Sequence, residues 1–235
     1  MKNVQKIAIL SVSVLTIMSS AAMIPALPYI NDYFTNASEL SVKMVISLPS
    51  FFIIPVTLMT GRLIFYFKKK HILYIALLLY LIGGLGGALQ DSIIMLLVFR
   101  SMMGIGVGLL IPLTKGLIAD FFTGRERSKM MGYSTAANNF GGIIAVVFAG
   151  LLTAFGWRFP FLVYSLAIIV LLLVIFFLPD QDIPPKNSHT VHINKNVWII
   201  GLSHFMVILI FFSIPTGLGY YIEVKNYGTG LTTGF

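Results

Sequence analysis

The sequence predicts an all-α membrane protein, and three observations predict it. Apolar residues make up 57% of the chain and charged residues only 10%, whereas a soluble domain carries about 25% charged residues. Apolar runs of spanning length recur at 7–28, 44–65, 72–89, 93–121, 131–155, 159–178 and 197–221, and about 20 such residues suffice to cross a bilayer as a helix. The basic residues then fall on alternate ends of these seven runs. Lys2, Lys6, Arg62, Lys68, Lys69, Lys70, Arg125, Arg127, Lys129, Lys186 and Lys195 lie on one side, against Lys43, Arg158 and Lys225 on the other. The positive-inside rule places the N-terminus in the cytoplasm. The net charge of +8 thus reflects topology rather than a nucleic-acid surface. With no cysteine and four scattered histidines, no thiolate or histidine metal site is predicted.

Span one follows Lys2 and Lys6 and closes on Pro25 and Pro28. Its apolar core is longer than that of a usual secretory leader, so it reads as a retained span. Spans two and three are joined by a basic loop that contains Lys68, Lys69 and Lys70. Span four holds Arg100 and Lys115 within one apolar run. A guanidinium keeps its proton, and a charge at mid-membrane costs at least about 2.5–3.5 kcal/mol on insertion scales. Arg100 must therefore face a watery cavity or a partner, or else snorkel to the interface about 12 Å away. Lys115 can either share that cavity or reach the cytoplasmic interface. Arg100, Gly104, Gly108 and Lys115 fall within about 80° of helical arc, so one stripe is charged at both ends and narrow between. Small residues on such a stripe let another helix or a substrate approach the backbone.

Span five carries the adjacent amides Asn138 and Asn139, about 100° apart on a helix. At least one of them is expected to face a cavity or a neighbouring helix. Span seven carries His204, the centrally placed titratable group with a pKa in the useful range. Asp32, Asp91, Asp120 and Glu223 all lie near span ends.

A repeat links spans one, four and seven. Ile24-Pro25 precedes Asp32, Ile111-Pro112 precedes Asp120, and Ile214-Pro215 precedes Glu223; the acid follows the proline by seven, eight and eight residues. Aligning Gly61 with Gly150 also sets Pro49 over Asn138 and Lys69 over Arg158. A period of three helices makes consecutive units insert with opposite topology. Pro25, Pro112 and Pro215 each remove a backbone donor and are the predicted bends.

Several segments in order resemble the major facilitator superfamily. Leu96, Arg100, Gly104, Gly106 and Gly108 resemble its fourth-helix motif. Ala119-Asp120-Phe121-Phe122, followed by Arg125-Glu126-Arg127, resembles the end of helix four and its cytoplasmic loop. Gly141-Gly142 and Gly156-Trp157-Arg158-Phe159-Pro160-Phe161 resemble helix five and the turn into helix six. Pro25-Ala26-Leu27-Pro28 resembles the drug-exporting branch with twelve helices. Two motifs depart from the family pattern. Between spans two and three, Gly61 and Leu63 match with the basic Lys69 and Lys70, but Phe65 stands where the family has an acid and Tyr66 where it has an arginine. On span five, Ala137-Asn138 stands where the antiporter signature has Gly-Pro.

The resemblance implies a six-helix N-terminal bundle at 1–178, built from two inverted three-helix repeats. A cytoplasmic central loop at 179–195 and the first helix of an incomplete C-terminal domain at 196–235 complete the chain. It implies alternating access in the plasma membrane, with proton-coupled efflux of drug-like or amphipathic compounds, a lipophilic cation among them, by antiport. Arg100, Gly104, Gly108, Asn138, Asn139 and His204 would line the substrate and coupling cavity. Gly61, Lys69, Lys70, Asp120, Arg125 and Arg127 would form cytoplasmic gating loops. No cofactor is expected, because no ATP-binding motif is visible and an ion gradient supplies the drive. The partners expected are the bilayer, a small-molecule substrate and the missing wall, from a C-terminal half or a second copy. The alternative is a truncated, non-transporting membrane protein or an interaction partner of an intact transporter. No nucleophile–base set suggests an enzyme. Loss of the acid at Phe65 is expected to weaken the outward-open preference. Phe65→Asp should then shift the labelling of external-cavity cysteines, and unchanged labelling would remove that expectation.

Overall fold

The computed structural model describes residues 2–179 together with Leu202, Ser203 and Met206. Most of the predicted loop 179–195 and of span seven, including His204 and Pro215, lies outside the described residues. Within 2–179 every regular element is a helix: α1 Lys2–Ala21, α2 Leu27–Tyr33, α3 Glu39–Leu63, α4 Lys69–Gly87, α5 Ile93–Phe121, α6 Gly124–Thr153, a 3-10 segment Phe159–Ser165, and α7 Leu166–Phe177. Six stretches of these helices are long and apolar enough to cross a bilayer, so the chain is a multi-pass membrane protein.

Span one is interrupted. After Ala21 the Met23 and Ile24 amides turn back to Ser20 and Ala21, and Pro25, which has no amide hydrogen, sits in the break. The helix restarts as α2 with Pro28 in its first turn, a position that needs no donor. Pro112, by contrast, lies inside the continuous α5.

Four spans, α1, α3, α4 and α6, begin earlier than their apolar runs, and the starts of α3 and α6 have a local cause. α3 starts at Glu39 because Ser38 accepts the Ser41 amide at 3.2 Å, and Lys43 pairs with Glu39 one turn away. The Ser38 cap satisfies an amide that the terminus would otherwise leave open. α6 starts at Gly124, whose φ of +53° turns the chain after Phe122 and Thr123. Glu126 then lies in the first helical turn, where a carboxylate complements the helix dipole. The residues assigned to the gating loops lie at the ends of helices rather than between them. Arg125 and Arg127 open α6, Gly61 lies in the last turn of α3, Lys69 and Lys70 open α4, and Asp120 ends α5. Charged side chains at these positions extend the helices beyond the apolar limits, since the backbone stays bonded whatever the side chain.

Helix contacts follow the small residues. α1 packs along α6, and α3 along α5, with α4 against the other side of α5. Under a three-helix repeat these first two pairings are equivalent, span one on five and span four on two. A side-chain carbon at Gly104 would stand 2.5 Å from the Pro49 carbonyl oxygen, and one at Gly106 would stand 2.8 Å from that of Ala76. At Gly141 it would strike the Val14 carbonyl. Backbones can approach so closely only at glycine. The interior is filled by Leu73, Leu77, Tyr80, Leu96, Met103, Val107, Leu110, Phe161 and Tyr164. The spans in α3 and α6 bury only 17% and 22% of their residues, against 44–50% for α1, α4 and α5.

Candidate functional site

Arg100 is fully buried, and its partners are backbone carbonyls rather than carboxylates. Its Nε donates to Val45 O and one Nη to Ser19 O, both at 2.8 Å. The other Nη donates to Tyr164 Oη at 3.0 Å and meets Met103 Sδ at 3.1 Å. Tyr164 in turn donates to Ser19 O at 2.8 Å.

The two carbonyls are available for a physical reason. In an unbroken helix Val45 O would accept from residue 49, but that residue is Pro49. Ser19 O would accept from Met23, whose amide has turned to Ser20. In hydrocarbon no water can satisfy such groups. One guanidinium, a fork of five donors, satisfies both and ties α1, α3 and α5 to the 3-10 segment. The same logic operates at Pro112, which frees Gly108 O; Thr57 Oγ1 donates to it at 3.1 Å. Arg100, Gly104 and Gly108 therefore form a helix seam within the described residues.

Lys115 leaves that stripe. It is exposed at its surface, and its Nζ reaches Ser134 Oγ at 3.1 Å. Ser134 bonds Ser13 at 2.8 Å, and Thr16 bonds Asn138 Oδ1. The Ile17 amide also donates to Asn138 Oδ1 at 3.1 Å. These side chains, with Ile111 and Thr114, line a small crevice of about 30 Å³ among α1, α5 and α6. Asn139 instead donates to Thr135 O within its own helix and is exposed. Of the two amides, the structure brings only Asn138 to the crevice. Ser13, Thr16, Thr114 and Ser134 were not singled out from the sequence. Their signal is the spacing of Ser13 to Thr16 and of Ser134 to Asn138, three and four residues in apolar helices.

Ion pairs hold the helix ends. At the basic end Lys69 pairs with Asp120, and Lys6 with Glu126 at 2.7 Å. Asp120 thus has a cationic partner at the start of α4, on the far side of the short link that holds Phe65. At the opposite end Arg158 pairs with Asp91, donates to Ala88 O at 3.0 Å, and stands 4.6 Å from the Trp157 ring centre. Among the described residues no group of three or more histidine, aspartate or glutamate side chains could hold a metal ion.

Comparison with known proteins agrees with this architecture. The chain is 27% identical over 183 residues to Multidrug resistance protein 2 of Bacillus subtilis (strain 168), covering 74% of this chain and 46% of that protein. It is 23% identical over 175 residues to Quinolone resistance protein NorB of Staphylococcus aureus (strain JH9), covering 74% and 36%. The structure of the proton:xylose symporter XylE superposes with a TM-score of 0.62 at 20% identity, over 73% of this chain and 44% of that one. The chain spans about half the length of the first of these relatives. Residues 9–235 match the Major Facilitator Superfamily, and with six spanning helices paired as an inverted three-helix repeat, the chain belongs to that superfamily.

Proposed function

We propose that the described bundle is the N-terminal wall of a secondary transporter that exports drug-like, amphipathic molecules in exchange for protons. The observation that carries this reading is the Lys115 crevice. A wall facing only lipid has no use for an ammonium, an amide and hydroxyls gathered at membrane depth, where intramembrane charge marks a transport path. The opposite wall would come from a C-terminal half or a second copy, and the two would rock about a site between them. The relatives' names support efflux, and the symporter's title supports proton coupling. The charge asymmetry supports a plasma-membrane protein with its N-terminus in the cytoplasm.

The test is accumulation of ethidium and of a fluorescent quinolone in cells stripped of their own efflux pumps. Expression is expected to lower accumulation of at least one of them several-fold, and a protonophore to restore it. Unchanged accumulation of both, with the chain inserted and a family C-terminal half coexpressed, would leave the non-transporting reading standing.

A further inference from the structure

We propose that the recess between the basic ends of α1 and α6 holds the headgroup of an anionic phospholipid, with an acyl chain along the open face of α6. Such a site does not depend on transport. The recess has a volume of about 400 Å³ and is lined by Lys6, Arg125, Glu126, Lys129, Met130 and Tyr133. That volume lies in the range of small-molecule pockets. Three cations face one carboxylate there, and the carboxylate is taken: Lys6 pairs with Glu126 at 2.7 Å. Lys6 is also held 5.7 Å from the Phe122 ring centre. Arg125 and Lys129 are exposed, and among the described residues neither has an ion-pair partner. Two positive charges therefore share one concave surface without compensation, over the buried Met130.

Depth chooses a lipid. The apolar run of this span opens at Met131. Lys129 and Arg125 precede it by two and six residues, roughly 3 and 9 Å along the axis. The polar headgroup layer on each side of a bilayer is about 5–8 Å thick, so both cations stand at the level of lipid phosphates. Tyr133, two residues inside the run, takes the interfacial place that aromatic rings favour. The face continues inward. Arg125, Lys129, Tyr133, Phe140, Ile143 and Val147 fall within about 80° of helical arc, and the last four are each more than half exposed. Tyr133 and Ile143 are separated by roughly 15 Å of helix, about the hydrocarbon depth of one leaflet. One stripe thus runs from two cations through a tyrosine to an acyl-length apolar track.

Charge chooses the kind of lipid. A guanidinium offers a phosphate two parallel donors, and an ammonium adds a point charge. A zwitterionic lipid would bring its own cation in among Lys6, Arg125 and Lys129, whereas phosphatidylglycerol brings none. With the N-terminus in the cytoplasm, this end of the bundle meets the leaflet that carries the anionic lipids. A soluble phosphate ester has the same headgroup chemistry but gains nothing from the apolar stripe below it.

Dioctanoyl phosphatidylglycerol is titrated calorimetrically into the 235-residue chain in dodecyl maltoside, with dioctanoyl phosphatidylcholine and glycerol phosphate as comparison probes. The anionic lipid is expected to bind the native chain saturably. Arg125→Gln and Lys129→Gln should each weaken it about fivefold, and together tenfold or more. Lys129→Arg keeps the charge and should bind as the native chain does. Arg127→Gln is the control: it removes an exposed charge from the same helix end, but about 160° away around the axis, and should leave binding unchanged. Both comparison probes should bind the native chain at least tenfold more weakly than the anionic lipid. All the altered side chains are exposed, and helix content checks that each variant is folded. Native affinity in the double variant, an equal loss in Arg127→Gln, or equal binding of phosphatidylcholine each overturns the proposal. Equal binding of glycerol phosphate does so by assigning the recess to a soluble phosphate ester. Loss of lipid binding when a coexpressed family C-terminal half copurifies does so by giving the face to that half.

Discussion

Arg100→Ala is expected to lower the unfolding free energy of the bundle by about 3–5 kcal/mol, the sum of a void and an orphaned acceptor. The void is the space of a wholly buried arginine side chain. The orphan is Val45 O, which Pro49 cannot serve and which has Arg100 Nε at 2.8 Å. Ser19 O fares better, because Tyr164 still donates to it. The loss is moderated because no carboxylate is left behind; removing the guanidinium also removes the burden of a buried charge. Arg100→Met separates the two effects. It refills most of the volume but leaves Val45 O open, so its loss should be about 1–3 kcal/mol. Tyr164→Phe removes one donor from Ser19 O and one acceptor from Arg100, and about 1 kcal/mol is expected. Tyr80→Phe is the internal control: its hydroxyl is buried with no partner, so its removal should be neutral or stabilising. Titrating detergent-solubilised protein with dodecyl sulfate while following helix content ranks the four variants. Should Arg100→Ala unfold with the native protein, the clasp described above carries no weight.

This clasp shows what a sequence can and cannot disclose. Arg100 in an apolar run stood out because a charge in lipid demands a partner. The identity of the partner did not, since carbonyls have no letter of their own. Half of the answer was nevertheless present in Pro49, whose ring frees the carbonyl four residues earlier. The limits of α5 agreed with its apolar run because its ends coincide with polar residues. Those of α3 and α6 did not, because Ser38 and Gly124 set helix starts among charged residues that hydropathy treats as loop. The crevice escaped notice for another reason. Ser13, Thr16 and Ser134 are unremarkable singly in membrane helices, and only the packing of α1 on α6 brings them to Lys115.

Gly104→Val should produce the second large effect, a loss of about 1–3 kcal/mol or more from overpacking. Even the first carbon of the new side chain would stand 2.5 Å from Pro49 O and 2.7 Å from Pro49 Cα. Those are backbone atoms on a neighbouring helix, so they cannot swing aside as the end of a side chain can. α3 must move away from α5, and the movement carries Val45 with it. The bond from Arg100 to Val45 O would stretch, so the glycine and the arginine should be coupled. The double variant Gly104→Val with Arg100→Met should therefore lose less than the two single losses added together. Gly141→Val tests the equivalent seam in the repeat, where the new carbon would meet Val14 O, and a loss of similar size is expected. Gly61 and Gly132 have nothing within 4 Å of that position. Both are helical, so alanine there should be harmless or should stabilise by up to about 1 kcal/mol through helix propensity. The same dodecyl sulfate titration reads all of these variants. If Gly104→Val and Gly132→Ala unfold at the same point, close backbone approach is not what holds α3 to α5. If Gly104→Val falls while the double variant shows full additivity, the seam stands but the Pro49 carbonyl break and the Arg100 clasp act independently of it.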